Sequence, residues 1–127
     1  MLCVISMDWQ YIAGFFDGEG CIFISSRKDI CTYPSRHNKS YNCLHRMVRI
    51  TLSQNDIEVL EKIQEFLTLN NIISSIYTNP NNIQHQLYIS KHDSSLKFLE
   101  NILPFVIVKK IKTLEAINFI QNTKWRW

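Results

Sequence analysis

Two carboxylates stand close together near the beginning of the chain, where a helical pattern ends. Asp17 and Glu19 belong to the stretch WQYIAGFFDGEGCIFIS, residues 9–25. Negative charge at the carboxyl end of a helix is opposed by the helix dipole, at a cost of about 0.3–1 kcal/mol per exposed charge. A positive group is therefore expected beside the two acids, and a divalent cation is the natural candidate. The alternative is a helix that ends in a solvated acidic turn.

The helix that would position these acids is predicted from the spacing of apolar residues. They recur at three- and four-residue intervals and form one stripe, which consists of Trp9, Ile12, Ala13 and Phe16. Gly20 is the residue type expected just past a helix end. Gly14 and Gly18 share a helix face and have no side chains to keep a second backbone away.

Hydrophobic periodicity predicts four strands and three further helices after this one. Strands are expected at residues 21–28 and 43–52, joined by a polar loop over residues 29–41, and at residues 73–78 and 83–90, joined by a turn. Helices are expected from a cap at Asn55 or Asp56 to Asn70 and Asn71, from Asp93 to Pro104, and from about Lys109, the last with Ile111, Leu114, Ile117 and Ile120 facing inward.

This order predicts an α+β fold, αββαββα(α), in which helices back one face of a four-stranded antiparallel sheet. We expect one domain over residues 1–127, with a core of about residues 8–120.

The sheet face away from the helices is expected to collect hydrogen-bonding, basic and aromatic side chains. Strand alternation assigns to it Phe23, Ser25, Arg27, His45, Met47, Arg49, Thr51, Ser75, Tyr77, Gln84, Gln86 and Tyr88. In the DNA major groove Arg reads guanine, Gln reads adenine, and apolar groups meet the thymine methyl group. A strand of ~8 residues spans ~26 Å, or ~8 base pairs, which predicts a half-site of that order. An ordinary solvent-facing sheet is the alternative.

The distribution of charge supports a polyanionic partner. The 127-residue chain has a formal net charge of +3, and residues 27–49 hold six basic residues but one acid, Asp29. No run approaches the ~18 apolar residues of a membrane span, and the opening MLCVISM lacks the basic start of a secretory signal. The four cysteines form no metal-binding pair. We expect a soluble intracellular protein that does not associate with membranes, placed in an organelle such as a chloroplast or mitochondrion or in a prokaryotic cytoplasm.

The nonapeptide IAGFFDGEG, residues 12–20, resembles the signature of the LAGLIDADG homing endonucleases. The strand and helix order after it also fits that family, so the resemblance covers the chain from about residue 8 to about residue 120. A dinucleotide-binding loop is excluded, because that motif needs a strand before its glycines and a helix after them.

The resemblance implies a catalytic set. The second acid of the family signature is the metal ligand, which here is Glu19, helped by the carbonyl oxygen of Gly18; the cofactor would be Mg²⁺, with Mn²⁺ as a substitute. The segment ITLSQND, residues 50–56, resembles the family stretch that implies a water-positioning role for Gln54. The segment LPFVIVKK, residues 103–110, resembles the run that leads to the active-site lysine, which makes Lys109 the match and Lys110 the alternative.

One signature per chain supplies one acidic cluster, whereas cutting a duplex needs two. A homodimer in which the first helices pack around a two-fold axis would solve this, with Gly14, Gly18 and Asp17 at the interface. The implied function is a metal-dependent endonuclease that makes a double-strand break in a long pseudo-palindromic DNA target. Two alternatives stay open: a maturase that binds intron RNA with the same fold, and a dimeric DNA-binding protein without activity.

Overall fold

The computed structural model describes the backbone of residues 7–33, 39–81 and 84–122, and the side chains of these residues outside 27–46. Its elements are α1 (Trp9–Glu19), β1 (Gly20–Tyr33), β2 (Lys39–Gln54), α2 (Ile57–Leu69), β3 (Ser75–Thr78), β4 (His85–Ile89), α3 (His92–Ile102) and α4 (Lys110–Asn122). The strands form one antiparallel sheet in the order β1-β2-β4-β3. The predicted α+β fold is therefore confirmed.

Alternation along the strands separates a core face from an uncovered face. Ile22, Val48, Ile50, Leu87 and Ile89 are buried against the helices. Their neighbours in sequence point the other way, because successive strand residues face opposite sides. None of the helices in the described part of the chain is both long and apolar enough to cross a membrane.

The first two strands are longer than the sequence predicted. Residues 29–33 and 39–41, expected in a loop, belong to the ladder, in which Tyr33 pairs with Lys39. Backbone pairing accepts polar residues, so the alternation of apolar residues marks only the part of a hairpin that covers a core. The last two strands are shorter than predicted: residues 73 and 74 precede β3, where the N–H of Ile73 donates to Ser94 Oγ at 3.0 Å.

The inward face of α4 was predicted wrongly in part. Ile117 and Ile120 are buried as expected, but the side chain of Ile111 is 81% exposed and that of Leu114 is 42% exposed. Thr113 and Ala116 are buried in their place, and Thr113 Oγ1 donates to the carbonyl oxygen of Lys109 at 2.7 Å. Because this bond satisfies the hydroxyl within the helix, Thr113 can face the core, and the helix is rotated accordingly.

Candidate active site

The orientation of α1 is fixed at both of its ends and along one side. Asp8 caps the helix by accepting a hydrogen bond from the N–H of Tyr11 at 2.7 Å, and Gly20 closes it by donating to the carbonyl oxygen of Phe16. The predicted stripe is confirmed, since Ile12, Ala13 and Phe16 are fully buried. The ring of Phe16 meets Phe98 edge-on at 5.7 Å between centroids. Glu19 is the last residue of this helix. Its side chain is therefore held outside the core and is exposed.

Gly20 allows the helix to turn directly into β1. Its backbone is extended, with φ −88° and ψ 161°, which any residue can adopt. A Cβ atom there would nevertheless lie 2.1 Å from Cδ2 of Phe16. Because Phe16 is fully buried, its ring has little room to move aside. The close approach keeps Glu19 at the junction of α1 and the sheet, where Gly20 pairs with Leu52 of β2.

The carboxylate of Asp17 binds the backbone of the segment before α4. Its Oδ2 accepts from the N–H of Ile107 at 2.7 Å, and its Oδ1 accepts from the N–H of Lys109 at 3.1 Å. Partial burial acts to raise the pKa of Asp17, but the N–H groups of Ile107, Lys109 and Val108 and the charge of Lys109 outweigh it, and the pKa is lowered. The charged carboxylate of Asp17 thus connects α1 to the segment 107–109 through hydrogen bonds.

Lys109 lies beside the acidic turn, as the sequence predicted. Its Nζ donates to the carbonyl oxygen of Asp17 at 2.7 Å and stands 5.9 Å from the centroid of the Phe16 ring. The side chain is half-buried, whereas Lys110 is exposed on the first residue of α4. The geometry thus brings an ammonium group to the helix end that carries Gly18 and Glu19.

Gln54 is the last residue of β2 and lies opposite His85 of β4. Leu52, two residues before it, pairs with Gly20, so Gln54 stands at the same edge of the sheet as the helix end. Its Oε1 accepts a hydrogen bond from the N–H of Asn55 at 2.9 Å. In this conformation the amide NH₂ group is the part of the side chain that could orient a water molecule.

The oxygen donors at this helix end fit a magnesium ion that keeps ligands from outside the chain. Mg²⁺ prefers oxygen ligands and usually combines one or two carboxylates with waters and substrate phosphates. Glu19 supplies an exposed carboxylate, and Gly18 supplies a carbonyl oxygen at the end of the helix. Within the described residues no group of three His, Cys, Asp or Glu side chains could hold a metal alone. One chain therefore offers part of a coordination shell, which waters or phosphate oxygens could complete.

The uncovered face of the sheet carries the described members of the predicted set. Large apolar groups are prominent on it, since Phe23 is 52%, Met47 is 36% and Tyr77 is 54% exposed. The register places Phe23 opposite Arg49, Ser25 opposite Met47, Thr51 opposite Tyr88, and Gln86 between Ser53 and Tyr77. Gln84 is exposed just before β4, and Ser75 is exposed beside Tyr88. Arg27 and His45 pair through their backbones, but their side chains lie outside the described residues.

Sequence reasoning missed two residues on this face. Cys21, which is exposed, and Ser53, which is half-buried, have the same strand parity as the predicted members. Cys21 is the second residue of β1, two residues after Glu19, and Ser53 is the second-last residue of β2, directly before Gln54. Continuing the alternation to the strand ends would have included them.

A second missed feature is an apolar surface beside the candidate site. The side chains of Ile107, Val108 and Ile111 are 83%, 77% and 81% exposed. The hydrogen bonds from residues 107 and 109 to Asp17 hold this segment against the end of α1. The sequence holds a signal for most of this surface. In the run LPFVIVKK, four apolar residues follow a proline that stops a helix.

The predicted dimer face of α1 is open. Gly14 and Gly18 are exposed, and a Cβ atom added to either would meet nothing within 4 Å. Asp17, assigned to the same interface from the sequence, is half-buried and directs its carboxylate to its own chain. The described chain thus leaves room at both glycines for a second backbone.

Comparison with known proteins gives a family match over most of the chain. The model of the LAGLIDADG endonuclease family matches residues 12–124. No curated protein matches the chain.

Three solved structures of homing endonucleases or meganucleases resemble this fold. I-CvuI, in complex with the I-CreI target and Mg, has 20% identity and a TM-score of 0.65, and the match covers 89% of this chain and 65% of that one. The archaeal intron-encoded I-Vdi141I, complexed with DNA, has 22% identity, a TM-score of 0.61 and coverage of 89% and 66%. The LAGLIDADG meganuclease I-AabMI, bound to uncleaved DNA, has 20% identity, a TM-score of 0.65 and coverage of 91% and 38%. The chain thus spans less than two thirds of the length of these proteins.

Proposed function

Because the chain belongs to the LAGLIDADG endonuclease family, we propose that it is a site-specific homing endonuclease. It would make a double-strand break in a long pseudo-palindromic DNA target, as a homodimer and with a divalent metal. The observation that carries the proposal is the exposed carboxylate of Glu19 at the carboxyl end of α1, where the helix meets β1, with the ammonium group of Lys109 bonded to the carbonyl oxygen of Asp17 in the same helical turn. At this end of the sheet an acid and a cation would lie beside the phosphates of a bound duplex.

The metal would be held by Glu19 and the carbonyl oxygen of Gly18. When bound, Mg²⁺ or Mn²⁺ supplies a more acidic water and charge stabilisation at the phosphate. Lys109, an ammonium group at a fixed position, would stabilise the negative charge that develops on the phosphate oxygens. Gln54 would hold a water molecule through its amide nitrogen. Asp17 would act indirectly, because its carboxylate positions the backbone of Lys109.

The uncovered face of the sheet would bind the major groove. It combines Arg49 with amide, hydroxyl and aromatic groups, which can contact base edges and thymine methyl groups. None of the described side chains on this face is a carboxylate, so these side chains would not repel the phosphate backbone.

The homodimer follows from the need to cut two strands with one carboxylate per chain. Gly14 and Gly18 would allow a close approach of a symmetric copy of α1, since a Cβ atom added to either would meet none of the described residues within 4 Å. Such packing would bring both copies of Glu19 near the same short stretch of duplex. It also predicts a target with two-fold symmetry.

Selection of duplexes from a random pool, followed by cleavage with and without Mg²⁺, tests the proposal. We expect a symmetric site that is cut in both strands only when the metal is present. Glu19→Gln should lower cleavage by about 1,000-fold or more, because several kcal/mol of charge stabilisation depend on the metal. Glu61→Gln is the matched control, since Glu61 is exposed on α2 and has no role in the site. Uncut duplexes, or binding of intron RNA without DNA cleavage, would contradict the proposal.

A further inference from the structure

Arg49 is oriented by a neighbouring ring on the uncovered sheet face. Its guanidinium carbon lies 5.5 Å from the centroid of the Tyr88 ring. Tyr88 pairs directly with Thr51, so it is the diagonal cross-strand neighbour of Arg49. On the other side of Arg49, Phe23 of β1 lies directly opposite it. Arg49 thus stands between two strands that each present an aromatic side chain.

The ring contact limits where an otherwise mobile side chain can point. Arg49 is exposed, and no carboxylate forms an ion pair with it in the described part of the chain. An arginine in such a position would sample many rotamers, whereas stacking on an aromatic face selects the few that cover the ring. Tyr88 is half-buried, so the ring itself is held by the sheet.

A guanidinium held over a ring keeps N–H donors that point away from the ring. These donors form a fixed fork, and the fork matches the two acceptors O6 and N7 of guanine in the major groove. Phosphate is the other acceptor of this geometry, but the centre of a sheet that lies in the groove faces base edges. We infer that Arg49, positioned by Tyr88, reads one guanine in each half of the target.

The strand register locates this base pair. Phe23, opposite Arg49, is the fourth residue of β1, and Glu19 directly precedes that strand. At ~3.3 Å per residue the separation is ~13 Å, which corresponds to about four base pairs at ~3.4 Å each. The guanine should therefore lie about four base pairs from the phosphate that is cut. Phe23 would meet the neighbouring base pair, where it favours a thymine methyl group.

This inference rests on the proposed endonuclease function, and its test separates the two. From the selected site, duplexes are made with single base-pair changes at every position, and their affinities for the full chain are compared in the absence of Mg²⁺. The wild type should prefer guanine at the stated position by about 5- to 150-fold. Arg49→Met has a side chain of similar length but no N–H donors, so this preference should vanish while preferences elsewhere stay.

Variants of the ring test the positioning role. Tyr88→Phe keeps the aromatic face and should keep the guanine preference, whereas Tyr88→Leu should lower it several-fold without lowering preferences at distant positions. Tyr77→Leu removes a tyrosine on β3 that pairs with Gln86 and not with a neighbour of Arg49, and it should leave the guanine preference at this position unchanged. A guanine preference that persists in Arg49→Met, or that falls evenly at all positions in Tyr88→Leu, would overturn this inference and leave the proposed function standing. A wild-type chain that enriches no duplex would overturn the proposed function as well.

Discussion

Lys109 is bonded to Asp17 twice. Its Nζ donates to the carbonyl oxygen of Asp17 at 2.7 Å, and its backbone N–H donates to Oδ1 at 3.1 Å. One acid of the signature thus fixes the position of the lysine, while the other acid, Glu19, stays exposed. The two carboxylates have similar chemistry, but that of Asp17 is hydrogen-bonded within the chain and that of Glu19 is exposed, which suits the metal-binding role we propose for Glu19.

The pairing of Asp17 predicts a pH dependence of stability. Because the folded state lowers the pKa of Asp17, its contribution is fully present above the ordinary carboxyl pKa of about 3.9 and is lost as the pH falls through the lower folded value. Asp17→Asn should lose about 1 kcal/mol at neutral pH, since one N–H of the segment 107–109 loses its acceptor. Thermal melting measured from pH 7 to pH 3 checks this prediction. The difference in melting temperature between the wild type and Asp17→Asn should become smaller below pH 4. A difference in melting temperature that stays constant over this pH range would contradict the prediction.

Lys109 and Lys110 should differ sharply as sites of substitution. Lys109→Met removes the ammonium group beside Glu19 and should lower the cleavage rate by about 100- to 1,000-fold, with little change in DNA affinity. Lys110→Met removes an exposed charge from the next residue and should change the rate far less. Single-turnover cleavage and binding, measured on the same duplex, separate rate from affinity. A larger rate loss in Lys110→Met would show that the lysine had been assigned one residue too early.

The contact between Gly20 and Phe16 predicts a cost in stability. Gly20→Ala places a methyl group 2.1 Å from a ring that is fully buried, so the ring or the start of β1 must shift. Overpacking of this kind costs about 1–3 kcal/mol. Chemical denaturation should show a lower midpoint for Gly20→Ala, and a further Phe16→Leu change should recover part of the loss. An unchanged midpoint would mean that the junction is looser than the contact indicates.

The open face of α1 predicts a separate effect on association. Gly14→Leu adds a side chain where the chain itself has free space, so the fold should persist, but a second helix could no longer approach closely. Analytical ultracentrifugation should then find monomers at concentrations where the wild type is dimeric. Glu61→Leu adds the same side chain to an exposed position of α2 and should leave the dimer intact. Equal association in both variants would exclude α1 as the interface.

The sequence predicted the parts of the site that repeat in a regular pattern. The stripe of Ile12, Ala13 and Phe16 determined the rotation of α1, and strand alternation identified the uncovered face before the register was known. Both follow from burial, which leaves a periodic trace in the residue types. The α4 face was misassigned because Ile111 and Leu114 also fit a helical stripe, and only the packed structure shows that Thr113 turns inward.

Contacts between residues that are far apart in the sequence leave no periodic pattern in the residue types. Nothing in the spacing of Asp17 and Ile107 indicates that a carboxylate near the start of the chain accepts from a backbone N–H 90 residues later. The placement of Arg49 over Tyr88 likewise depends on the diagonal register between β2 and β4, which the sequence does not specify. Resemblance predicted the identity of Lys109, but the atoms that hold it became visible only in the fold.

The strict alternation of the sheet has an evolutionary consequence. Phe23 of β1 and Tyr77 of β3 project from the face of the sheet that does not pack against the helices. Ile22 of β1 and Leu87 of β4 project from the opposite face and are buried in the core. Substitutions on the outer side should therefore leave the fold intact. If the chain is the endonuclease we propose, its target preference could change one base pair at a time, which would let the gene that encodes it follow a drifting target site by small steps.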